Sequence, residues 1–128
     1  MESFRNCGWP AFAALGMGTL AMIMAVAAIA MALMKPRMGV IVAIVALAMS
    51  VGPGGVGFLG MLWQRQQVDS ILAAGVIEPQ SIERIRAIGY EEAAQCVPVG
   101  GVISVVPMFF AGIALVVSLV RKKNEPAA

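Results

Sequence analysis

The sequence predicts an all-α, small polytopic membrane protein: three transmembrane helices with a short extramembrane helical hairpin. Three apolar runs, 11–34, 38–63 and 97–120, contain no Asp, Glu, Lys, Arg or His, and each exceeds the roughly 20 residues a helix needs to cross a bilayer core. The composition agrees: 60% of the 128 residues are hydrophobic and 12% are charged, whereas soluble domains are about half apolar and about a quarter charged. Third, the basic residues flank these runs instead of forming a patch, so the net charge of +2 does not point to nucleic acid. The chain, 1–128, reads as a single membrane domain with the lipid bilayer as its first partner.

The first run is read as a retained helix. It offers small-residue cleavage sites such as Ala28-Ile29-Ala30, but it far exceeds the h-region of a signal peptide, about 7–15 residues, and Lys35 and Arg37 follow it directly. Phe4-Arg5-Asn6 before Cys7 is not the small, apolar context of a lipoprotein. The turn Lys35-Pro36-Arg37 then leads into the second span.

That span carries the least regular stretch of the chain, Ser50-Val51-Gly52-Pro53-Gly54-Gly55-Val56-Gly57. Proline and glycine weaken a helix interior, so Gly52, Pro53, Gly54 and Gly55 are expected to form a helix break or hinge. In lipid, the freed backbone groups must find partners. The string Gly52-x-Gly54-x-x-Gly57 matches a dinucleotide fingerprint in form alone: no strand precedes it and no βαβ unit contains it.

In the 64–96 connection, Val68, Ile71 and Leu72 recur at helical spacing before Gly75. Glu78-Pro79 is a helix start, since proline is harmless in a first turn. Ile82, Ile85 and Ile88 form a second stripe ended by Gly89. The expectation is a hairpin, 65–74 against 79–88, whose stripes pack on each other or lie on the membrane surface. Trp9, Trp63 and Tyr90 sit near span ends, where amphipathic rings favour the headgroup level. In the third span Pro98 suits a helix start, whereas Pro107 lies in the interior and predicts a kink near Ser104. Small residues recur at four-residue spacing, as Ala21 with Ala25 and Gly100 with Ser104, a pattern that lets helices approach closely. It supports packing within the chain, homo-oligomerisation, or association with other membrane subunits.

Topology follows from Lys and Arg near the span ends. Lys35 and Arg37 in the turn and Arg121-Lys122-Lys123 in the tail lie against the membrane, whereas Arg65, Arg84 and Arg86 are diluted by acids. This places the turn and the C-terminus in the cytoplasm and the N-terminus and hairpin outside, with a bacterial inner membrane as the expected location. Cys7 and Cys96 then share the oxidising side, each just before a span. The leading expectation is a disulfide between them. A bond between subunits and two unpaired thiols are the other arrangements.

Catalysis finds no foothold: there is no His, no carboxylate pair in a dry setting and no nucleophile beside a base. No catalytic, cofactor or metal residue is assigned. The ten methionines, with Met17, Met24 and Met31 on one face, are read as flexible filling. Ser50 and Ser104 are the candidate polar lining of any path through the spans.

Cys7-Gly8-Trp9-Pro10 before an Ala/Leu/Met-rich span, and Glu91-Glu92-Ala93-Ala94-Gln95-Cys96 running into a Gly/Val-rich span, resemble stretches of MotA/TolQ/ExbB-type proton-channel proteins. The resemblance implies an oligomeric proton channel. Such proteins carry their soluble part between spans one and two, where this chain has three residues, and no functional residue carries over. Two functions stand at this point. The first is a non-enzymatic scaffold or accessory subunit that works by helix packing. The second is an oligomeric ion (proton) channel or transporter-like subunit of that type.

Overall fold

The computed structural model describes residues 2–125, and all its regular structure is helical. The elements are α1 (Glu2–Cys7), α2 (Trp9–Met34), α3 (Pro36–Ala73), α4 (Pro79–Ala94) and α5 (Cys96–Asn124). Helices α2, α3 and the α4–α5 stretch are long and apolar enough to cross a membrane. The chain is thus an all-α integral membrane protein in which α2, α3 and α5 pack pairwise into one bundle.

The joints between helices follow from local chemistry. Gly8, at φ 68°, turns α1 into α2, a backbone state that glycine reaches without a Cβ clash. Pro10 then occupies the first turn of α2. The three-residue turn expected after the first span shortens to Lys35 alone, because Pro36 is the first residue of α3. Its fixed φ suits that position and its missing N–H would be unpaired there anyway. At the other end of α3, Gly75 at φ 72° reverses the chain into α4, which starts at Pro79 as the sequence suggests. The ten residues before the first span had no predicted element, and six of them form α1.

Two elements run on where sequence signals stop them. The backbone of α3 stays α-helical through Gly52, Pro53, Gly54 and Gly55, from Pro36 to Ala73, so the helix is not broken there. At 38 residues and about 1.5 Å per residue it is about 57 Å long, so its C-terminal part projects beyond any bilayer core as the first arm of the hairpin. Helix α4 continues past Gly89 to Ala94. Gly89 does not terminate it, because it serves contact: a Cβ there would meet Val68 Cγ2 at 2.7 Å. Gln95 is itself in the αR region, so α4 feeds into α5 with little interruption. Pro107 likewise lies inside an α5 that remains helical on both sides.

The interior reverses the usual pattern of a core. Buried residues of α2 include Ala11, Ala14, Gly18, Ala21, Ala25, Ala28 and Ala32. Those of α3 include Gly39, Ala43, Ala46, Ser50, Pro53, Gly57 and Gly60. Helix α5 contributes Cys96, Gly100, Ser104, Pro107, Ala111, Ala114 and Ser118. The spacing alternates between three and four residues through α2 and α3 and through most of α5, the seven-residue repeat of helices that wrap around one another. Here small residues occupy the seam. The large apolar side chains face outward: Phe12 is 67% exposed, Val102 70% and Phe109 65%, while the central alanines are 0%. In lipid, tails solvate Phe and Val as well as a protein core would, so no hydrophobic force draws them inward. Close backbone approach then becomes the main source of helix association. A layer of Ala25, Ala28, Ala43, Ala46, Ala111 and Ala114, two from each helix, marks the middle of the bundle.

Candidate functional site

Towards the Cys96 end of the bundle, α3 and α5 meet backbone to backbone. A Cβ on Gly57 would fall 2.5 Å from the Cys96 carbonyl oxygen and 3.1 Å from Gly100 Cα. Gly54, whose helix has lost a donor at Pro53, gives its backbone N–H to Ser104 Oγ at 2.9 Å. Thus Pro53, Gly54 and Ser104, far apart in sequence, form one interhelical joint, and a side chain on α5 takes a backbone donor from α3. Ser50 does not share in it; its hydroxyl donates to Ala46 O of its own helix at 2.7 Å, a common resting place for serine in a helix. Ser118 is fully buried and its hydroxyl has no hydrogen-bond partner. It lies where a Cβ on Gly39 would be, 2.6 Å from that position. These three hydroxyls are the buried polar side chains among the described residues. Gly52 and Gly55 take no part in polar contacts: the Met17 methyl covers Gly52, and Gly55 faces open space.

One end of the bundle is built around Cys7 and Cys96. Their Cα atoms are 5.0 Å apart and their sulfurs lie at disulfide distance, within the range such a bond requires. Both are buried, clustered with Ala11 and flanked by Phe4, Met61 and Val99. Gln64 closes this end: its amide donates to the Cys7 carbonyl at 2.8 Å and the Asn6 carbonyl at 3.2 Å. Its Oε1 rests 3.5 Å from Cys96 Sγ. Asn6 reaches Gln95 at 3.2 Å, and Trp9 and Trp63 stack edge to face at 5.7 Å. The N-terminus and the 64–96 connection therefore share a side, as the two spans between them require.

Above the tryptophans, the hairpin holds a polar cluster. Tyr90 donates its hydroxyl to both oxygens of Asp69 at 2.7 Å, and Arg86 Nε lies 3.6 Å from the same carboxylate. The bond to Asp69 raises the Tyr90 hydroxyl above its usual pKa of 10.0, and desolvation and the Asp69 charge act in the same direction. Arg65 sits over the Tyr90 ring, 5.1 Å from its centre.

The other end is basic. Arg121 donates to the Leu33 carbonyl at 2.6 Å, one of the acceptors left open where α2 stops. Arg37 lies 3.9 Å from Glu125. Gln64, Arg65, Asp69 and Arg121 were not singled out from sequence as site residues. A glutamine or arginine just past a span carries no motif, and its partners come from other helices.

Compared with known proteins, the chain matches no family model, no curated protein and no solved structure.

Proposed function

We propose that the chain is a non-enzymatic membrane scaffold or accessory subunit that works by presenting rigid apolar helix faces to its neighbours, either further copies or other membrane subunits. One observation carries this reading: the interior seam is occupied by Ala, Gly, Ser and Pro backbones in close approach. Its hydroxyls are used or enclosed. Ser104 holds Gly54, Ser50 bonds within its own helix, and Ser118 lies against Gly39. A conduction path needs polar groups that line it and exchange with water, and the bundle axis offers none of that kind among the described residues.

The alternative, an oligomeric proton channel of the MotA/TolQ/ExbB type, would place its path between copies. The outward faces that would line it carry Phe, Leu, Ile, Val and Met, and the outward hydroxyl of Thr19 donates to Leu15 O of its own helix. Liposomes containing the purified chain are expected to show no proton or cation flux above empty vesicles. Flux that scales with protein content overturns the scaffold reading.

A further inference from the structure

Among the described residues, Arg65 is the one half-buried cation; the others are exposed. Its Nε is buried and has no hydrogen-bond partner. The acid placed to neutralise it is Asp69, one helical turn on, which is the usual geometry of a helix ion pair. Asp69 is taken instead by the Tyr90 hydroxyl and Arg86, and neither ion pair among the described residues includes Arg65. The fold thus buries part of a guanidinium, stacks it on an aromatic ring and leaves it outside ion-pair distance of Asp69, the nearest acid along its helix. A half-buried Nε–H without a partner favours an added acceptor, and the chain supplies none within hydrogen-bond distance.

Its place in the structure limits what that acceptor is. Arg65 follows the interfacial Trp63 by two residues, at the level where lipid headgroups begin. The guanidinium fork matches the oxygens of a phosphate, and the Tyr90 ring beneath it fixes its plane by a cation–π contact. We propose that Arg65, held over Tyr90, binds the phosphate of an anionic phospholipid headgroup on the Cys7–Cys96 side of the bundle. This rests on the chain being membrane-embedded and is independent of whether it acts as a scaffold or a channel. Lipid retention and ion flux are separate readouts, so each reading can fail without the other.

The test is native mass spectrometry of the full chain released from detergent micelles doped with phosphatidylglycerol or phosphatidylcholine. The expected result is selective retention of phosphatidylglycerol, reduced about tenfold by Arg65→Ala, a loss typical of a charge-assisted contact, and partly restored by Arg65→Lys. Arg84→Ala, which removes an exposed cation of the same hairpin, is expected to leave retention unchanged. Asp69→Asn is expected to raise it about threefold by removing a competing negative charge near the guanidinium, a gain that misfolding does not produce. Unchanged retention in Arg65→Ala, an equal loss in Arg84→Ala, or a loss in Asp69→Asn each overturns the proposal. Inorganic phosphate that displaces the lipid at millimolar concentration assigns the site to free phosphate and overturns the lipid assignment.

Discussion

Replacing Gly57 by alanine tests whether backbone contact holds the bundle together. The added Cβ would lie 3.1 Å from Gly100 Cα and 2.5 Å from the Cys96 carbonyl oxygen. Carbon atoms pack best at about 3.5–4.0 Å, and a carbon-to-oxygen contact rests near 3.3–3.6 Å. Both partners are backbone, so no flexible side chain can swing away, and α3 and α5 must part by somewhat under about 1 Å. A gap of that size forfeits roughly a quarter to a half of each contact's attraction. Overpacking of this kind costs about 1–3 kcal/mol. Gly55→Ala, two residues away, meets nothing within 4 Å and is expected to be neutral or to stabilise by up to about 1 kcal/mol through helix propensity. The assay is thermal unfolding in detergent followed by circular dichroism, with alkylation of Cys7 and Cys96 under non-reducing conditions as a local probe. Equal effects of the two alanines would refute the reasoning.

Other consequences can be checked on the same protein. Ser104→Ala strands the Gly54 N–H and is expected to cost about 1 kcal/mol, near the upper part of the range for hydrogen bonds between membrane helices, with faster hydrogen exchange at Gly54. Ser50→Ala, which loses a bond within its own helix, is expected to change stability by less than half as much in the same melts. Reduction of the Cys7–Cys96 pair, 89 residues apart, is expected to lower stability by about 2–4 kcal/mol; full alkylation without reductant would show that no bond forms. Tyr90 is the single tyrosine, so its ultraviolet titration is unobscured. Its midpoint is expected above the ordinary phenol value and to fall in Asp69→Asn, because the Asp69 hydrogen bond and charge both favour the neutral phenol.

The spans, the hairpin and the shared end of the two cysteines were legible because they depend on composition and on the number of crossings, although Ile71, Ile85 and Ile88 of the hairpin stripes stay exposed and do not bury one another. The course of the helices through glycine and proline was less so. Gly52, Pro53, Gly54 and Gly55 weaken a helix taken alone, but the Ser104 hydroxyl takes the Gly54 donor, and a bare Gly57 lets α5 close on that segment. Gly89 likewise reads as a terminator until Val68 is seen to fill its missing side chain. The four-residue spacing of small residues was visible, but the alternating three-and-four seam emerged only once the helices were placed side by side. The Arg65–Tyr90–Asp69 arrangement joins two helices across a reversal at Gly75, and linear spacing carries no trace of it.

The seam of small residues also bears on entropy. Alanine, glycine and proline have no side-chain rotamers to surrender on burial, whereas methionine or glutamine loses up to about 2 kcal/mol. Closing this bundle therefore freezes almost no side-chain motion at its axis. The side chains with the most conformers stay on the lipid face, where neighbouring acyl chains are fluid. The protein thus combines a stiff axis with a mobile rim, and weak attractions between backbones suffice to hold it because so little disorder opposes them.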